Sequence, residues 1–157
     1  MKFFKPKFWD KNEISLFSIL LFPISLLIKL LSFFKRSLTK THKCSIPVIC
    51  VGNIYLGGTG KTPLCIELHF LLKNLNRNPV FIRKKYNSFQ DETNLQKQVG
   101  SVYESDRRIN ALKEAIHNKA DVAILDDGFQ DFSINKNLSI VCFNEKQWIG
   151  NSFVIPA

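Results

Sequence analysis

The sequence predicts an α/β fold: a parallel sheet flanked by helices and preceded by an apolar N-terminal helix. Three observations carry this. From residue 46 onward, β-branched strand patterns alternate with helical ones, as crossover connections in a parallel sheet require. The first strand runs straight into a glycine-rich loop and then a helix. A long Leu/Ile/Phe stretch precedes them all.

That stretch is residues 14–34, in which 15 of 21 residues are Ile, Leu or Phe. As a helix it is about 32 Å long, close to one bilayer core. A secretory signal fits poorly, because no A-x-A-like site follows and Lys35-Arg36 come next. On a helical wheel Lys11, Ser15, Ser18, Ser25, Lys29, Ser32 and Arg36 share one arc of about 100°. Phe22 and Ile14 interrupt the stripe, and Pro23 should kink the helix. An aligned polar stripe suits a helix lying in the membrane interface better than a spanning one. A true span and a soluble core helix are the alternatives. Phe8-Trp9 suit an aromatic interface anchor.

In the body, Ile46–Val51 reads as a strand and Thr62–Leu75 as a helix with Leu64, Leu68, Leu71, Leu72 and Leu75 on one face. Pro79–Ile82 is a second strand. Residues 84–104 are polar and irregular, with a weak helix over 93–99. Asp106–Asn118 is a helix, with Ile109, Leu112 and Ile116 at helical spacing. Val122–Leu125 and Leu138–Phe143 are strands. The expected organisation is a basic, apolar membrane-associated segment over 1–43 and a nucleotide-binding α/β domain over 44–157.

The formal net charge is +9, but the first 43 residues hold nine of the 22 Lys+Arg and only two of the 13 Asp+Glu. The basic pI therefore belongs to the arm, which favours a membrane surface and gives no support for nucleic acid. Cys44, Cys50, Cys65 and Cys142 show no C-x-x-C spacing and read as reduced thiols in a cytosolic domain. His42, His69 and His117 are scattered, with no expected metal role.

The loop after the first strand reads G52-N-I-Y-L-G-G-T-G-K-T-P63. Gly57, Gly58, Thr59 and Gly60 would turn backbone N–H groups toward a phosphate, reinforced by the positive end of the following helix. Lys61 would reach the β- and γ-phosphates and the Thr62 hydroxyl would bind Mg²⁺. Tyr55 stands where the strict Walker pattern has its first glycine. The fold expectation sharpens to a P-loop NTPase-like sheet. Asp126-Asp127 end an apolar strand, as in a Walker-B segment, and Asp126 is a second Mg²⁺ ligand candidate.

Together these motifs resemble the tetraacyldisaccharide 4′-kinase family, the lipid A 4′-kinases of Gram-negative bacteria. The resemblance rests on the apolar basic helix, V51-G-N-I-Y-L-G-G-T-G-K-T-P63, Asp126-Asp127-Gly128-Phe129-Gln130, and Gly150-Asn151 through Ile155-Pro156-Ala157. The family also lacks the first Walker glycine. It implies an enzyme on the cytoplasmic face of the bacterial inner membrane. That enzyme moves the ATP γ-phosphate to the 4′-hydroxyl of a tetraacyl glucosamine disaccharide 1-phosphate, an anionic glycolipid.

The resemblance also implies roles for residues. Asp91, in Gln90-Asp91-Glu92-Thr93, is the candidate catalytic base. Glu92 joins the metal candidates and Gln130 the nucleotide-binding ones. Lys61 and Asp127 complete the catalytic set. Asp131 replaces the family's His after DDGFQ, and Arg83-Lys-Lys-Tyr86 stands for its R-G-Y-G. The family's chains are roughly twice as long, so the expectation is that these 157 residues bind nucleotide but transfer phosphate poorly. The rivals are a membrane-docked ATPase or GTPase switch and a nucleotide-holding fragment without catalysis.

Overall fold

The computed structural model describes residues 16–53, 59–85, 90–143 and 145. Phe8-Trp9, the start of the apolar stretch, Tyr55, Gly57, Gly58, Tyr86 and the run from Gly150 to Ala157 lie outside the described residues.

The chain forms two compact units, one of which contains the helix α1 (Leu16–Leu38). Its first turn carries no acid and its last turn carries Lys35 and Arg36, so the charge suits the negative helix end. Pro23 lies inside the helix. Ser18 and Ser25, seven residues apart and hence on one face, are buried, whereas Leu16, Leu20, Leu27, Leu31 and Phe33 are more than half exposed. Lys29, Ser32 and Arg36 are exposed. The polar stripe thus turns inward over its first half and outward over its second.

The second unit spans Lys40–Asn53 and Gly58–Cys142 and holds the sheet. Its strands are β1 (Val48–Asn53), β2 (Pro79–Lys84), β3 (Val102–Ser105), β4 (Val122–Asp126) and β5 (Leu138–Cys142). They are all parallel, in the spatial order β3-β2-β4-β1-β5. Helices α2 (Lys61–Asn74), α3 (Gln90–Val99) and α4 (Arg108–His117) complete the unit. β4 lies between β1 and β2, with Asp126 level with Val51. The acidic strand end therefore sits beside the end of the strand that leads into the glycine-rich loop.

Central strands are buried on both faces, so β4 is buried along its whole length. Phe81, Ile82, Leu112, Ile124 and Leu125 fill two apolar layers on opposite sides of the sheet. Each such side chain contributes on the order of 1.5–3 kcal/mol through burial. Cys50 and Cys65 are buried in these layers, and Cys44 and Cys142 are partly buried. Burial pushes all four thiols up, away from the reactive thiolate.

Three expectations need correction. Residues 102–105 form β3, inside the stretch read as irregular. The helix expected over 93–99 starts earlier, at Gln90. In α2 the inward face is centred on Thr62, Cys65 and His69, flanked by Leu64, Leu68 and Leu72. Leu71 and Leu75 point outward, 57% and 70% exposed. A helix of this length has more leucines than one stripe can hold, and the smaller residues take the closest approach to the sheet.

Candidate nucleotide-phosphate site

The site gathers at the carboxyl ends of β1, β2 and β4, where open α/β sheets bind ligands. Gly60 caps α2 in the left-handed region, at φ 77°. A side chain there would be strained, although the space beside it is open. Among the described residues no side chain caps the helix and no acid occupies its first turn, so its first N–H groups are left to other partners. Pro63 fits this first turn, where no N–H partner is needed. The Thr59 hydroxyl is buried without a hydrogen-bond partner among the described residues. Such a group at a phosphate loop fits a ligand oxygen.

Lys61 Nζ donates to Asn53 Oδ1 at 3.0 Å, bridging the two ends of the loop. The Thr62 hydroxyl donates to Asp126 Oδ2 at 3.5 Å. Asp126 is 3% exposed. Its Oδ2 also accepts from Gln96 Nε2 at 2.9 Å and pairs with Arg83 Nη1 at 3.2 Å. Arg83 Nη2 pairs with Glu92 Oε2 at 2.9 Å, so one guanidinium bridges both acids. Desolvation raises the Asp126 carboxyl above its ordinary value; Arg83 opposes this and Glu92 adds to it. A hydroxyl and a carboxylate poised together at a helix N-terminus are a donor set that fits Mg²⁺.

The sequence-derived residues divide in space. Lys61, Thr62 and Asp126 come together, and Glu92 joins them through Arg83. Asp91, in the first turn of α3, is exposed, as is Gln130. Asp127 also points to solvent. Its backbone turns through φ 56°, with its N–H on Val51 O at 2.8 Å and its carbonyl accepting from Arg108 Nη2 at 2.8 Å. Asp131, the replacement for the family's His, lies 3.9 Å from Arg108 Nη1 and accepts from the Ser133 N–H and hydroxyl. Phe129 packs on Gly52: a Cβ there would lie 2.6 Å from the ring.

Sequence reading missed Gln96 and the bridging role of Arg83. Their partners lie 9 to 43 residues away, and no local spacing marks them. It also passed over Asn118-Lys119-Ala120-Asp121, which spells the N-K-x-D by which GTPases read guanine. That run joins α4 to the amino end of β4, across the sheet from the phosphate loop. There Asp121 Oδ1 accepts from the Asn78 N–H at 2.6 Å and Asn78 Nδ2 donates to Lys119 O at 3.1 Å. The pattern closes a turn and gives a guanine reading no support.

The family model described as tetraacyldisaccharide-1-P 4′-kinase matches residues 17–100 and 86–157. A tetraacyldisaccharide 4′-kinase of Pelagibacter ubique is 46% identical over 157 residues, covering 100% of this chain and 50% of the relative. Its counterpart from Rickettsia canadensis is 34% identical, with 100% and 52% covered. A crystal structure of LpxK from Aquifex aeolicus in complex with ATP superposes with a TM-score of 0.67 at 26% identity. It covers 82% of this chain and 49% of that one. The chain thus spans about half the length of the curated relatives it matches.

Proposed function

The chain belongs to the tetraacyldisaccharide-1-P 4′-kinase family, and we propose that it forms the nucleotide-binding half of a kinase acting on a lipid A precursor. The donor is ATP. The acceptor is the 4′-hydroxyl of a tetraacyl glucosamine disaccharide 1-phosphate. The observation that carries this reading is the Thr62–Asp126 pair, set at the N-terminus of α2 and the end of the adjacent strand.

In the transfer, the acceptor oxygen forms a bond to the γ-phosphorus as the bond to the bridging oxygen breaks and ADP leaves. The hydroxyl proton passes to a base, for which Asp91 is the candidate. Lys61 would leave Asn53 to meet the β- and γ-phosphates, with the Thr59 hydroxyl and the N–H groups of Gly57, Gly58 and Gly60 as the other candidates to bind them. Thr62 and Asp126 would hold Mg²⁺, with Glu92 as a further candidate. When bound, Mg²⁺ neutralises charge on the phosphate oxygens. Asp127 and Gln130, on the turn after β4, are the remaining candidates, for catalysis and for nucleotide binding.

Segment 1–43 docks on the cytoplasmic face of the inner membrane, and 44–157 carries nucleotide. A surface rich in cations attracts both anionic headgroups and an anionic glycolipid.

The test is labelled ATP with the tetraacyl disaccharide acceptor in detergent, using this chain and a version extended through the other half of its relatives. The expected result is Mg-ATP binding by both and robust transfer only by the extended version. Failure of either to bind Mg-ATP would overturn the reading. Robust transfer by the 157 residues would place all the chemistry in this half.

A further inference from the structure

Gln96 is fully buried, at 0% exposure, on the inner face of α3. Its amide is gripped at both ends. Nε2 donates to Asp126 Oδ2 at 2.9 Å, and Oε1 accepts from Arg83 Nη1 at 3.3 Å. A guanidinium can only donate and an ionised carboxylate can only accept, so the amide has one orientation that satisfies both. One turn earlier on the same face, Glu92 holds the other arm of Arg83 at 2.9 Å. α3 therefore reaches the end of β4 through two side chains four residues apart.

Packing alone does not ask for an amide here. A buried polar side chain is costly unless every group is paired, and an apolar residue of equal size would fill the space. What the amide adds is direction. Thr62, Gln96 and Arg83 all converge on Oδ2 of Asp126. Three donors on one oxygen hold the carboxylate in a single orientation and leave Oδ1 outside the clamp. We propose that Gln96 is a positioning residue for the metal-binding carboxylate, acting through Asp126 and coupling it to the helix that carries Asp91 and Glu92. The inference rests on the nucleotide-site reading and names a residue outside the motifs that led to it.

Outer partners of metal ligands typically contribute ~10–100-fold in metal affinity. The test variant is Gln96→Met, close in length and volume but without donor or acceptor. ATP binding by the full chain is titrated against Mg²⁺, repeated in EDTA, and paired with a metal-free thermal midpoint. The Mg²⁺ concentration for half-maximal ATP binding should rise roughly tenfold or more. ATP binding in EDTA should match the wild type. An unchanged Mg²⁺ midpoint overturns the proposal. So does a parallel loss of EDTA binding and thermal midpoint, which marks a purely structural role. Gln96→Asn, an amide one methylene too short, should shift the Mg²⁺ midpoint the same way by less and serves if the Met variant does not fold. A wild type that binds no Mg-ATP sinks the site reading together with this one. A Mg²⁺ response indifferent to Gln96 sinks this one alone.

Discussion

The Thr62 hydroxyl lies 3.5 Å from the Asp126 carboxylate, across 64 residues of sequence. The parallel register of β1 and β4 brings them together, with Val51 level with Asp126. Their proximity has a cost, because Asp126 is buried and its carboxyl is raised above the ordinary value. A raised acid favours folding only in its neutral form, so at neutral pH the ionised group works against the fold.

Asp126→Asn should accordingly leave the metal-free thermal midpoint unchanged or higher at pH 7, because Asn removes the buried charge and still accepts from Arg83 and Gln96. Mg²⁺-dependent ATP binding should fall sharply. Calorimetry beside a nucleotide titration checks both. A large loss of stability would mean that the Arg83 ion pair outweighs desolvation.

Lys61→Ala should weaken ATP binding by roughly 10–100-fold, the range for losing a charge-assisted hydrogen bond. Its stability should change little, since Lys61 is partly exposed and its partner Asn53 keeps other contacts. Equal ATP affinity in wild type and variant would remove Lys61 from the phosphate site.

A third expectation concerns acid. His69 stacks on Phe81 with ring centres 5.0 Å apart, and both ring nitrogens are buried without partners among the described residues. Burial, helped by Lys73, lowers its pKa from 6.5. A depressed base adds stability above its unfolded value, and that stability is lost as pH falls through the folded one. Stability should therefore decline below about pH 6.5, by at most ~1.4 kcal/mol per pH unit for one proton. His69→Leu should flatten that slope in urea melts at pH 5 to 7. An undiminished slope would assign the acid sensitivity to another group.

The turn after β4 gives a fourth. A methyl on Gly52 meets the Phe129 ring at 2.6 Å. Gly52→Ala should destabilise by about 1–3 kcal/mol, the range for overpacking. Phe129→Ala should relieve part of that in the double variant, a coupling that denaturant titration of the cycle measures. Additive effects would show that the ring moves aside freely.

These residues also show what a single sequence discloses. The turn into α2 was legible because Gly60, Lys61 and Thr62 are consecutive, with a strand ending at Asn53 ahead of them and the helix beginning at Lys61. Strand β3 was not, because Val102-Tyr-Glu-Ser105 is a short edge strand, partly buried throughout, with no clear apolar alternation. Gln96 was hidden for a different reason. It lies between Leu95 and Lys97 in a polar helix, and only the fold brings it to an acid 30 residues later. The N-K-x-D run shows the converse: a pattern legible as chemistry that serves only a turn once placed.

The last expectation concerns α1. Leu20 is 75% exposed, and Leu27 and Leu31 also stand open on the helix, while Ser18 and Ser25 are buried. In water an apolar surface of this extent is unfavourable, and a lipid interface would cover it. The chain should therefore co-sediment with vesicles containing anionic lipid. High salt should release only part of it, because screening weakens the Lys35 and Arg36 contribution and leaves the apolar face bound. Replacing Leu27 and Leu31 together by Glu removes two side chains that each contribute about 1.5–3 kcal/mol on burial. The double variant should partition roughly 100-fold less, and its Mg-ATP binding should stay intact. Full vesicle binding by the variant, or a wild type that stays in the supernatant without detergent, would take the membrane role away from this helix.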